Sequence, residues 1–171
     1  IIGHLYRYGY EPVPGTMAPP FRGLAVDPRP EAHATRGTVS TALVESIDLA
    51  ATFIEAAGGA VPTHWVEGRS LRPFLRGETP ESWREVAISE YNYSVTPAAQ
   101  ALGVSDEDAR LFMAFDGRWK LIHFEGGFRP MLFDLETDPE EFTDLGADRA
   151  FEVERARLYG HLNAWARRQS Q

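Results

Sequence analysis

The chain has 171 residues, 43% of them apolar and 25% charged, with a formal charge of -8 and no cysteine. Such a length fits one domain, or one domain with an arm, and the negative balance argues against nucleic acid and anionic membrane surfaces, both of which attract basic patches. Disulfides, thiolate metal sites and a cysteine nucleophile are excluded within the chain, and no apolar run reaches the roughly 18 residues of a spanning helix. The absence of cysteine is neutral between compartments; the cytoplasm is the expected location, with the periplasm as the alternative.

Ile1-Ile2-Gly3-His4 has no basic segment followed by an apolar stretch, so it is not a signal peptide, and the chain reads as a piece of something longer that begins in mid-domain. Tyr6, Arg7, Tyr8 and Tyr10 are followed by Pro12, Pro14, Gly15, Pro19 and Pro20, which forbid a regular element there. Residues 21–26 make a short strand that Pro28 and Pro30 end, and residues 38–43 a second extended piece. A helix is predicted over Ile47 to Ala57, capped by Ser46 or Asp48. Its packing face is Leu49, Phe53 and Ala57 with Ile54 beside them, and Gly58-Gly59 ends it. Leu71, Phe74 and Leu75 form a helical turn, and Gly77 to Pro80 is a linker.

From Arg84 the apolar period changes to alternation, with Val86 and Ile88 on a strand over 84–91. Residues 92–109 are irregular, with a short helix expected around Ser105 to Arg110. Strands over 111–115 and 118–124 flank Asp116-Gly117, a hairpin signal, and a further strand over 131–135 follows Gly126-Gly127. Then comes a strand-to-helix corner: Asp138 as N-cap, Pro139 in the first helical position, and Glu140 and Glu141 at the positive end of the dipole. Residues 149–169 form the last helix, with Phe151, Leu158, Leu162 and Trp165 on one face and Gly160 placed for close packing. The fold class is α+β: a four-stranded antiparallel sheet covered by the C-terminal helix.

Several of these segments resemble one known family, in the right order. The run LFDLETDPEEFTDL from Leu132 to Leu145 resembles the L-Y-D-L-x-x-D-P-x-E-x-x-N-L signature near the C-terminus of sulfatases and their phosphonate monoester hydrolase relatives, with Asp144 where Asn is usual. The stretch from Glu45 to Ile54 resembles the S-x-x-D-L-x-P-T-L-L helix start, with Ala51 in the place of Pro. Residues 67–77 resemble D-G-x-S-L-x-P-x-L-x-G, and Arg118-Trp119-Lys120-Leu121-Ile122 resembles the strand x-R-Y-K-Y-I. Trp83-Arg84, the Lys120 to His123 strand and the Leu132 to Leu145 corner resemble the phosphonate monoester hydrolase branch more than typical arylsulfatases.

This resemblance implies an alkaline phosphatase superfamily hydrolase, acting on small-molecule sulfate esters or phosphonate or phosphate esters. It implies that residues 1–79 end a truncated large α/β domain and that 80–171 are the smaller C-terminal subdomain. It implies a formylglycine made from a Cys and one divalent metal (Mn, Ca, Mg or Zn). The chain has no Cys, no C-x-P-x-R and no Asp-His-Gly motif, so it supplies neither cofactor and is expected to be inactive alone. Gly3-His4 falls about where the family has a Gly-Lys ahead of Tyr10-Glu11, which makes His4 the candidate catalytic residue, with Arg7 as its rival. The plainer alternative is an ordinary residue of an arm.

The acids Asp134, Glu136, Asp138, Glu140, Glu141 and Asp144 raise the question of calcium, but counting from Asp134 puts Pro139 where an EF-hand loop needs Gly. Capping and solvation explain them. His33, His64, His123 and His161 have no ligand spacing, and Ser46 with Asp48 lacks a G-x-S-x-G elbow. With 12% aromatic residues, exposed apolar surface is expected on the chain alone. That supports a second reading, a non-catalytic interaction or oligomerisation module, and the resemblance to the phosphonate monoester hydrolase branch implies a homo-oligomer.

Overall fold

The computed structural model describes Thr35, Gly37 and residues 39–169. The expected strand over 21–26 lies outside the described residues, as do His4, Arg7 and His33. The chain divides between Arg84 and Glu85 into two compact units.

The first unit holds the helices α1 (Asp48–Ala56) and α2 (Arg72–Leu75). Residues 39–43, expected to be extended, form no strand. What they provide is an acceptor: the Leu43 carbonyl takes the Trp83 indole N–H at 2.7 Å. The α1 boundaries fall one residue inside the predicted ones, and Gly58, with φ of 82°, ends the helix with the Gly59 amide bonded to the Ile54 carbonyl at 2.9 Å.

Two expectations about α1 fail. Its N-cap is Ile47, which makes no side-chain bond, and the helix is rotated so that Asp48, Ala51 and Thr52 are buried while Phe53 is 52% exposed. The reason is polar. The Thr52 hydroxyl donates to the Asp48 carbonyl at 2.6 Å and accepts the Leu71 amide at 2.8 Å, and the Asp48 carboxylate accepts the Arg69 amide at 2.8 Å. Those donors lie on one side, and leaving a buried carboxylate unsatisfied costs more than exposing a phenylalanine. Gly68 lets the chain pass: a Cβ there would sit 2.1 Å from the Ile47 carbonyl oxygen.

The second unit is a meander of β1 (Ala87–Asn92), β2 (Arg110–Phe115), β3 (Trp119–Phe124) and β4 (Met131–Asp134), antiparallel and in sequence order, as predicted. The pairs Ala87↔Phe115, Phe115↔Lys120 and Trp119↔Asp134 fix the register. Arg118 belongs to the β2–β3 turn rather than to β3: Asp116 donates its amide to Trp119 and Gly117 takes φ of 102°.

Between β1 and β2 a short helix, α3 (Pro97–Leu102), stands where none was expected, and residues 105–108 form only a turn. Its signals are present in the sequence: Thr96 caps it through Ala99, Pro97 opens it and Gly103 closes it at φ of 65°. A small cluster of Tyr93, Ala99 and Ala109, flanked by Leu111 and Phe124, holds this excursion down.

After a 3-10 turn at Arg149–Phe151, α4 (Glu152–Gln169) lies against the sheet. Ala114, Leu121 and Leu132 from the strands meet Leu158 and Leu162 from α4, all buried. Phe151 packs on Trp119 and Trp165 on Phe112, with ring centroids 5.6 and 5.8 Å apart. The predicted helical stripe is therefore the one that packs. Gly160 is not: no atom lies within 4 Å of a Cβ built there, so the expectation of close packing is wrong. A methyl group would project into open space on a helix that glycine weakens. Gly160→Ala should stabilise the fold by about 1 kcal/mol, read as a higher urea midpoint at unchanged slope.

Candidate functional site

The corner after β4 holds the densest set of ionisable groups, and it is not the start of a helix. Residues 138–141 make a turn in which the Glu141 amide donates to the Asp138 carbonyl at 3.2 Å, and the Asp138 carboxylate accepts the Thr143 amide at 2.7 Å. Pro139 fits the second position of such a turn as well as it fits a first helical turn. The helix fails to form because Glu141 adopts φ of 61°, the one positive value for a residue other than glycine among the described residues. That conformation turns its side chain inward onto Lys120, where the two form an ion pair with side chains 4% and 7% exposed. Lys120 also lies 6.0 Å from the centre of the Phe133 ring.

The neighbouring acids are taken up one by one. Asp134 receives a two-pronged bond from Arg118 at 2.9 and 2.8 Å, and Glu136 meets the same guanidinium at 2.7 Å. Asp144 accepts the Leu132 amide at 3.1 Å and the Gly146 amide at 2.8 Å with one oxygen, and faces Arg129 with the other. Asp116 accepts the amides of Arg118 and Trp119 and pairs with Arg157.

These contacts set the acids' charge states. The Arg118 hydrogen bonds hold the Asp134 carboxyl below the usual carboxylate range, against burial, which pushes it up. Burial also pushes Asp116 up, but the bonds from Arg157 and the two amides outweigh it and the net direction is down. On the helix side, His123 Nδ1 sits 3.1 Å from the Tyr159 hydroxyl, whose ionisation burial pushes to higher pH.

The second charged centre belongs to the first unit. The fully buried Asp48 accepts Arg84 with both oxygens, one of them at 2.6 Å, as well as the amides of Glu45 and Arg69. Arg84 also meets Glu45 at 3.4 Å and lies 5.3 Å from the centre of the Trp83 ring. Phe74 packs edge-on against the same indole at 4.7 Å. Helix start, the 69–72 segment and the Trp83-Arg84 pair are thus clamped on one carboxylate.

Neither centre presents a free nucleophile or acid-base pair. Among the described residues no three His, Asp or Glu side chains gather as a metal site, and the chain has no cysteine to mature into formylglycine. Neither cofactor fits the described residues. The acid series is divided among separate partners, with Asp134 and Glu136 on Arg118, Asp138 on the Thr143 amide, Glu141 on Lys120 and Asp144 on Arg129. Sequence reasoning missed Lys120, Arg118, Arg157 and the Asp48–Arg84 clamp. One clue to Lys120 was available: a lone cation inside the apolar run from Trp119 to Ile122.

A family model described as N-sulphoglucosamine sulphohydrolase, C-terminal, matches residues 29–168. The chain belongs to this sulfatase C-terminal family. It is 33% identical over 118 residues to the multifunctional alkaline phosphatase superfamily protein PehA of Trinickia caryophylli, covering 67% of this chain and 23% of that protein. It is 32% identical over 116 residues to an N-acetylglucosamine-6-O-sulfatase of Bacteroides thetaiotaomicron, covering 64% of this chain and 18% of that protein. Among solved structures, the phosphonate monoester hydrolase of Silicibacter pomeroyi superimposes with a TM-score of 0.71 at 35% identity, over 78% of this chain and 27% of that one. The chain thus spans about a quarter or less of the length of these relatives. The α+β sheet and helix of the second unit match the C-terminal part of the sulfatase neighbours, and no described helix is long and apolar enough to cross a membrane.

Within the sulfatase C-terminal family's signature, the corner is therefore a structural clasp. Glu141→Gln, which removes the charge of a buried ion-pair partner of Lys120 while keeping its shape, should destabilise the fold, read as a lower midpoint in chemical denaturation. Because the folded-state values of Asp134 and Asp116 lie below the unfolded ones, their contribution is complete above the unfolded carboxylate value near pH 4 and is lost as pH falls through the folded values. Acid titration of stability should show a drop beginning near pH 4, and Asp134→Asn should flatten it while lowering the neutral-pH plateau.

Proposed function

We propose that this chain is the C-terminal portion of a longer hydrolase that cleaves sulfate esters or phosphonate or phosphate esters, with residues 1–79 closing a large α/β domain and 80–171 forming its C-terminal subdomain. The observation that carries this reading is the family match over residues 29–168, which includes the helix start at Asp48, the 67–77 segment, the β3 strand and the 132–145 corner. The relatives' names divide between sulfatases and phosphonate monoester hydrolases, and the substrate class is left at that breadth.

The chemistry is assigned to sequence outside this chain: a formylglycine nucleophile and one divalent metal, Mn, Ca, Mg or Zn, whose role is to hold and polarise the ester oxygens. This chain's own contribution is mechanical, since the clamp on Asp48 and the clasp on Glu141 hold its elements in register. His4 is proposed as its one residue near the reacting centre, a partly charged imidazole where the family places a lysine.

The test is hydrolysis of an aryl sulfate and an aryl phosphonate monoester, with and without manganese. The purified chain should show no turnover, and the product of its gene together with all preceding in-frame sequence should show metal-dependent turnover of at least one substrate. Turnover by the 171-residue chain alone would overturn the reading, as would an inert longer product.

A further inference from the structure

Asp116-Gly117 is the chain's one Asp-Gly step, and the chain holds no Asn-Gly. It forms the turn between β2 and β3, with Gly117 exposed at φ of 102° and open space where a Cβ would stand. In such a dipeptide no side chain shields the glycine amide, so its nitrogen can reach the carboxyl carbon of the aspartate before it. The reaction needs no partner but water. The Gly117 nitrogen bonds to Asp116 Cγ, a hydroxyl of the carboxyl group leaves with the amide proton as water, and a five-membered imide closes. Water then adds back. At the side-chain carbonyl it restores aspartate; at the α-carbonyl it breaks the original peptide bond and leaves Gly117 joined through the side chain, as an isoaspartate.

The fold opposes ring closure with three bonds. Asp116 Oδ1 accepts the amides of Arg118 and Trp119 at 2.9 and 2.7 Å, and Oδ2 accepts Arg157 of α4. The first two hold the carboxyl group towards the amides two and three residues on, away from the adjacent one. Against burial, which pushes the Asp116 carboxyl up, the three bonds hold it below the usual carboxylate range, and a carboxylate has no hydroxyl ready to leave. Two of the bonds are local to the hairpin. The third comes from another element, 41 residues along the chain, through an arginine whose side chain is 44% exposed.

We infer that Asp116 is a covalent modification site, convertible to isoaspartate through the Gly117 amide, and that Arg157 is the residue that keeps it closed. The conversion carries beyond the turn. An isoaspartate puts one more methylene into the main chain beside the Phe115↔Lys120 pair, which fixes the β2–β3 register, and Lys120 is the partner of the buried Glu141. Damage at an exposed turn thereby reaches the clasp at the opposite edge of the sheet.

The experiment incubates the 171-residue chain, its Arg157→Ala and Arg157→Lys variants, and a free peptide of residues 112–121 at neutral pH and physiological temperature. Isoaspartate is measured by methyl transfer from S-adenosylmethionine with an isoaspartyl methyltransferase and placed at Asp116 by fragmentation mass spectrometry. The folded chain should convert at least about tenfold more slowly than the peptide, since the turn must open first. Arg157→Ala should convert about fivefold faster than the parent chain, the order expected for losing one surface ion pair, and Arg157→Lys should recover most of the protection. Circular dichroism checks that the variants are folded, and Arg157→Gln, which keeps most of the stem, replaces Arg157→Ala if that variant is not. A peptide that forms no isoaspartate at Asp116 overturns the site. A folded chain that converts as fast as the peptide overturns the guard, and so does a folded Arg157 variant without its charge that converts no faster than the parent, which leaves the two amides as the whole protection.

Discussion

The buried pair of Lys120 and Glu141 is the contact from which the second unit's geometry follows. Lys120 sits in the middle of the sheet, on β3, and Glu141 comes from the loop after β4. Two charges withdrawn from water need each other, and the backbone yields to that need: Glu141 takes a conformation usually left to glycine. Once it does, the chain cannot enter a helix at Asp138. It runs back along β4 instead, and the Leu145 amide reaches the Leu132 carbonyl at 2.8 Å. Gly146 follows where a Cβ would come within 2.1 Å of the Pro130 carbonyl oxygen, so the return is as tight as a backbone allows.

The first unit repeats the principle with different parts. Asp48 draws two amides and a guanidinium onto one carboxylate, and the rotation of a whole helix is subordinate to it. In both units a buried acid decides local backbone geometry, and apolar packing adapts. The hydrophobic core proper, Leu121, Leu132, Leu158 and Leu162 around Ala114, is conventional by comparison.

That division explains which parts were legible in the sequence. The strands and the last helix were readable because their signal is local: alternation in β1, the Asp116-Gly117 hairpin signal between β2 and β3, and the step from Leu158 to Leu162 in α4. The order of the motifs was also readable, and it led to the right family. What failed were the places where a distant polar partner overrides local propensity. Asp138-Pro139-Glu140-Glu141 is a sound helix start until Lys120, on another strand, claims Glu141. Leu49, Phe53 and Ala57 are a sound packing face until Arg84, 36 residues on, claims Asp48. Thr96-Pro97 with Gly103 is a local helix signal, a cap, an opener and a left-handed end, set in an otherwise polar and irregular run. The candidate site is a separate matter: His4 lies outside the described residues, and the described charges are ties between segments.

The return of the chain along β4 has one more effect. A four-residue strand at the end of a sheet would present free amides and carbonyls on its outer side, an invitation for any passing extended chain to add itself. Here the Leu132 amide is taken by Asp144, the Leu132 carbonyl by Leu145, and the Asp134 carbonyl by the Asp138 amide at 2.8 Å. The sheet is sealed on that side by its own loop, which denies strand-by-strand growth a template and guards the chain against the aggregation that open sheet edges bring.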